Sequence, residues 1–108
     1  MFTENIAPPQ ITPFDFGIEP ANTGEVAGIQ CIVAKGDLPL DIFWSLNAMP
    51  IVTGQNSFTI TKMNSRTSAL NIEPLDAQHR GTYSCIARNK AGFTEFHSEL
   101  HVNGSYNT

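Results

Sequence analysis

The sequence predicts an all-β domain, a sandwich or a barrel of short strands. Turn-forming residues recur at short intervals, from Pro8-Pro9, Pro13, Gly17 and Pro20 through Asn22-Thr23-Gly24, Gly36-Asp37, Asn47, Gly54-Gln55-Asn56, Asn64-Ser65, Gly81, Asn89 and Gly92 to Asn103-Gly104. Between them lie runs of about 5–9 residues with period-two apolarity, the pattern of short half-buried strands. No window carries a long 3.6-residue stripe, so helix is expected to be minimal.

Taken in chain order, the first well-marked strand runs from Val26 to Val33 and the second from Asp41 to Leu46. Phe58–Thr61 and Ser68–Ile72 follow, and the last two strands cover Thr82–Arg88 and Phe93–Val102. A single short turn of helix is expected at Pro74–Gln78. Because successive strand residues point to opposite faces, parity assigns the core. Ala27, Ile29, Cys31 and Val33 point one way and Gly28, Gln30 and Ile32 the other. Trp44 with Ile42, Leu70 with Ile72, and Tyr83 with Cys85 and Ala87 form matching inward sets. Their outward neighbours are Phe43 and Ser45, then Ala69, Asn71 and Glu73, then Thr82, Ser84, Ile86 and Arg88. The inward sets are apolar and the outward sets mostly polar, so the register is self-consistent.

Composition bounds what such a domain can do. At 108 residues the chain is one domain's worth; the domain is assigned to 8–103, with 1–7 and 104–108 as flanking or cloning-derived segments. Hydrophobic residues make up 41% and the formal net charge is only -4, which argues against disorder. Six basic residues against ten acidic ones give no electrostatic footprint for nucleic acid. No apolar run approaches the ~20 residues needed to cross a bilayer as a helix. The stretch Met1–Pro9 has neither the basic nor the apolar region of a signal peptide. Two settings remain at this point, an intracellular protein or a domain of a longer secreted chain.

Four residues then coincide. Cys31 and Cys85 lie inward on different strands, Trp44 stands thirteen residues after the first, and Tyr83 stands two before the second. This Cys…Trp…Tyr-x-Cys set resembles the signature of an immunoglobulin domain. Leu70-x-Ile72, Gly81-x-Tyr83-x-Cys85 and Ala87-x-Asn89-x-Ala91-Gly92 extend the resemblance to the intermediate set, over nearly the whole of 8–102. The resemblance implies an immunoglobulin-like two-sheet Greek-key sandwich with a Cys31–Cys85 disulfide packed on Trp44, the alternative being buried free thiols as in intracellular muscle domains. One position departs from the pattern. Four residues before the corner tyrosine an Asp is usual, and here stands His79. Lys62 and Arg66 therefore lack that carboxylate, Asp76 is the available substitute, and His79 is expected to be solvated while bonding its local turn.

Longer segments are more specific still. Pro8–Gly17, Lys35–Trp44 and His79–Cys85 resemble the variable seventh immunoglobulin domain of the arthropod Down syndrome cell adhesion molecule family. That resemblance implies a domain encoded by alternative exons within a neuronal and immune cell-surface receptor. It also implies two-fold, antiparallel self-pairing through one sheet face, that of an N-terminal strand together with the strands at Val26–Val33, Phe58–Thr61 and Ser68–Ile72. The outward residues there are Gln30, Ile32, Thr59, Thr61, Thr67, Ala69, Asn71 and Glu73. They form a small, flat, nearly uncharged set, suited to meeting its own copy. The implied partners are a second copy of the domain and the neighbouring immunoglobulin domains of the receptor. A structural spacer and a binder of other ligands are the competing readings.

Chemistry of other kinds finds little footing. No nucleophile motif accompanies the Ser, His and Asp residues, and no catalytic role and no cofactor are expected. His97-x-Glu99-x-His101 share one strand face, but the two histidines would lie about 13 Å apart, too far to share one zinc ion. Asn103-Gly104-Ser105 is an N-glycosylation sequon at the end of the last strand.

Overall fold

A computed structural model describes residues 6–17 and 19–103. Among these residues, ten strands form two four-stranded sheets and a small two-stranded pair. The first sheet has the order β1-β3-β7-β6, built from Gln10–Ile11, Ala27–Lys35, Thr67–Ile72 and Phe58–Asn64. The second has the order β5-β4-β8-β9, built from Met49–Pro50, Asp41–Leu46, Gly81–Asn89 and Gly92–Leu100. Short β2 (Ala21–Asn22) runs parallel to β10 (Val102–Asn103). A 3-10 turn, Ala77–His79, precedes β8.

The alternation expected of β3 is visible directly: Ala27, Ile29, Cys31 and Val33 are buried and the intervening residues exposed. Most of these, with Trp44, Phe58, Leu70, Ile72, Leu75, Tyr83, Cys85 and Leu100, form the core between the sheets. The disulfide joins Cys31 on β3 to Cys85 on β8, and so crosses from one sheet to the other. The Trp44 indole N–H donates to Ser68 Oγ on the facing sheet at 2.9 Å. This gives the one polar atom of a 2%-exposed side chain a partner. The Tyr83 hydroxyl donates to the His79 carbonyl oxygen four residues upstream, the tyrosine corner that the sequence suggested.

Several boundaries differ from expectation. The N-terminal segment contributes strands β1 and β2, which are too short to show a periodicity. Between them the chain passes from the first four-stranded sheet to the two-stranded pair. Phe14 packs on Trp44 and Phe96, and Phe16 on Tyr83, with ring centroids 4.9–5.8 Å apart. Strand β6 continues past Thr61 to Asn64, with a bulge between Lys62 and Asn64. The strand expected over Phe93–Val102 breaks at His101, where the carbonyl oxygen accepts from Ala21 N–H and hands the chain over to β2. A two-residue turn at Asn47-Ala48, with φ of 50° and 69°, closes the β4–β5 hairpin.

His79 is the clearest correction. It is 2% exposed, not solvated. Its Nδ1 accepts from Asp76 N–H at 2.9 Å, and its Nε2 donates to the Asn56 carbonyl oxygen at 2.7 Å. The Phe58 ring lies edge-on at 5.3 Å. Both ring nitrogens are satisfied, which is what allows an imidazole to be buried here. Asp76 is likewise occupied: its carboxylate caps the 3-10 turn by accepting from Ala77 N–H. It does not replace the carboxylate missing beside Arg66. That guanidinium instead donates to the Val33 and Gly36 carbonyl oxygens at 3.1 and 2.8 Å. Lys62 is exposed.

Candidate recognition surface

Strands β3, β7 and β6 lie side by side, and their outward residues form transverse rows. Gly28, Asn71 and Thr59 make one row, Gln30, Ala69 and Thr61 the next, and Ile32, Thr67 and Asn64 the third. Gln30, Ile32, Thr59, Thr61, Asn71 and Glu73 are exposed. Ala69 and Thr67 are not, at 7% and 9% exposure. Both sit on the central strand between longer side chains of β3 and β6, which cover them. They therefore form the floor of the surface and not its contact points, a change from the sequence expectation. Only Glu73 in this set carries a charge.

Two residues that the sequence reading left out shape the face. Met63, beyond the expected end of β6, stands on the outer side and is 53% exposed. Gly28 opposes Asn71, whose side chain leans over the glycine: a Cβ there would come within 2.5 Å of Asn71 Oδ1. Together with Ala69 they line a hollow of about 540 Å³ whose rim includes Phe14 and Asp15. The glycine was readable as outward-facing, but nothing in the sequence marked it as the site of a depression.

The opposite sheet presents a different surface. Arg88 lies 5.1 Å from the centroid of the exposed Phe43 ring and 3.8 Å from the Asp41 carboxylate. Phe93, across from Arg88 on β9, is 66% exposed. On the same strand His97 and Glu99 are exposed, and just beyond it His101 Nε2 lies 3.8 Å from Glu99 Oε1. Among the described residues no three His, Cys, Asp or Glu side chains gather closely enough to hold a metal ion. No helix among the described residues is long and apolar enough to cross a membrane. Asn103 is exposed and its Nδ2 donates to Asn22 Oδ1 at 3.2 Å, while Gly104 and Ser105, which complete the sequon, lie outside the described residues.

Comparison with known proteins bears on what such a surface is for. Residues 8–89 match the family model described as immunoglobulin domain. The cell adhesion molecule Dscam1 of Drosophila melanogaster is 55% identical over 98 residues, covering 91% of this chain and 5% of that protein. The human cell adhesion molecule DSCAM is 41% identical over 95 residues, covering 88% and 4%. The chain thus spans about a twentieth of the length of these relatives. Among solved structures, the Dscam1 Ig7 domain, isoform 9, superimposes with a TM-score of 0.86 at 55% identity, over 89% of this chain and all of that one. These relatives are adhesion proteins and not enzymes. Family match, inter-sheet disulfide, buried Trp44 and tyrosine corner agree, and the chain belongs to the immunoglobulin domain family.

Proposed function

We propose that this domain is a self-recognition module of a cell-surface adhesion receptor. In this reading it lies outside the cell, joined to neighbouring immunoglobulin domains, and reaches the membrane only through the parent chain. It pairs with an identical domain across a two-fold axis, antiparallel, through the outer face of β3, β7 and β6. The observation that carries the reading is the near absence of charge on that face. A two-fold interface sets a surface against its own copy, so every like charge near the axis repels. Gln30, Ile32, Thr59, Thr61 and Asn71 carry none, in a chain similar to a domain of an adhesion molecule. The face of β4, β8 and β9 instead carries Asp41, Arg88, Glu95 and Glu99.

One such face burying about 800 Å² per partner gives modest affinity, so strength in the receptor comes from several domains engaging together. The reading is tested by sedimentation of the purified domain over a concentration series into the high micromolar range. A reversible dimer is expected, abolished by Asn71→Lys and retained by Phe43→Arg. A monomer throughout, or loss of the dimer with Phe43→Arg alone, contradicts it.

A further inference from the structure

We propose that self-pairing is oriented by opposite charges at the two ends of the domain, the basic end of each copy lying over the acidic end of the other; this rests on the self-recognition reading above. The row of Gln30, Ala69 and Thr61 marks the middle of the first sheet, and the row of Trp44, Cys85 and Phe96 the middle of the second. The Cys31–Cys85 bond ties the two levels together. Five of the six basic residues lie to one side of this level. Lys35 ends β3, Lys62 and Arg66 stand near the β6–β7 turn, and Arg88 and Lys90 near the β8–β9 turn. Asp37, Asp41 and Glu95 share that half and leave it net basic. On the other side lie Glu19, Glu25, Glu73, Asp76 and Glu99, with Arg80 the one Lys or Arg. The small net charge of -4 thus conceals two ends of opposite sign.

Two outer faces meet about a two-fold axis that lies in the plane between them. Where that axis runs across the strands, each strand lies over its own copy reversed. A residue on one side of the axis then meets the residues equally far to the other side. An axis at the middle row sets uncharged Gln30, Ala69 and Thr61 on their own copies, the one place where a charge would meet itself. Lys35 lies five residues beyond Gln30, and Glu73 four beyond Ala69 in the opposite direction, about 17 and 13 Å along the strands. Both are exposed. The rotation brings Lys35 of one copy over the partner's Glu73, one strand across, and does so twice per dimer. An axis along the strands instead sets basic end on basic end and acidic on acidic. The neutral middle permits either pair, and the charged ends select the antiparallel one.

Sedimentation of single variants and of a double variant tests the orientation. Glu73→Lys and Lys35→Glu chains each self-associate roughly tenfold more weakly than the unmodified chain, because each change turns two attractions into two repulsions. Combining both changes in one chain restores self-association, since glutamate and lysine again meet, with their places exchanged. Glu95→Lys, on the outer face of the other sheet, alters the net charge equally and leaves self-association as it was. The loss in Glu73→Lys shrinks as sodium chloride rises from about 0.05 to about 0.5 M, because exposed charges are screened. Thermal unfolding establishes that each variant is folded. A Glu73→Lys chain that pairs as well as the unmodified one overturns the orientation and leaves self-recognition standing. So does a Glu95→Lys chain weakened to the same degree, or a double variant no better than the single ones. An unmodified chain that stays monomeric overturns both.

Discussion

Trp44 and Ser68 face each other across the two sheets, the indole N–H donating to the serine hydroxyl oxygen at 2.9 Å. The serine occupies an inward position that parity would fill with an apolar residue, and it is 5% exposed. Its role is to satisfy the only polar side-chain atom of the tryptophan that packs beside the disulfide. Ser68→Ala leaves that N–H without an acceptor and is expected to cost about 1–3 kcal/mol. Urea unfolding measures the loss, and faster exchange of the indole proton locates it. Unchanged stability and unchanged exchange would show that the bond contributes nothing.

His79 makes a second prediction. Its ring spans the Asp76 N–H and the Asn56 carbonyl oxygen, and so joins the turn before β8 to the loop before β6. His79→Ala removes both hydrogen bonds and the packing on Phe58, with an expected loss of about 2–4 kcal/mol. His79→Gln, which keeps a donor and an acceptor, should recover part of it. An exposed residue of the kind the sequence suggested would give changes within about 0.5 kcal/mol for both.

Burial pushes the Tyr83 phenol well above the ordinary tyrosine range. The proton is held more tightly in the folded chain than in the unfolded one. Stability is therefore full below about pH 10, the unfolded value, and falls as pH rises beyond it. In a Tyr106→Phe background, absorbance at 295 nm reports Tyr83 alone. Its ionisation should coincide with alkaline unfolding followed by circular dichroism. Ionisation of a chain that is still folded, in the ordinary range, would contradict the buried hydroxyl.

The Cys31–Cys85 bond closes a loop with a sequence separation of 54. Removing it by paired substitution to alanine is expected to cost about 4 kcal/mol in the chain-entropy model. Guanidinium unfolding of the two forms measures this directly. A difference below about 1 kcal/mol would mean that packing around Trp44 does the stabilising alone.

Much of this fold was legible because strand parity and the Cys31, Trp44, Tyr83, Cys85 spacing are local in sequence, and the sandwich geometry makes them coincide. The features that were not legible depend on neighbours far along the chain. Strands β1 and β2 are two residues long and exist through pairing with Lys35 and Val33, and with Val102 and Asn103. The burial of His79 depends on Asn56, twenty-three residues away. Ala69 and Thr67 had the right parity, but their cover comes from β3 and β6 on either side. Met63 escaped notice because a bulge carries β6 past the point where its apolar pattern fades.

Self-preference is the central claim, and a direct competition measures it. The labelled domain is mixed with equimolar unlabelled copies of itself and of the Dscam1 Ig7 domain, isoform 9, which is 55% identical. Native mass spectrometry then counts like and unlike pairs. Statistical mixing would pair the labelled chain equally often with either competitor. The account predicts a strong excess of like pairs, lost when Asn71→Lys is introduced into the labelled chain. Statistical mixing, or no dimers of either kind, would contradict it.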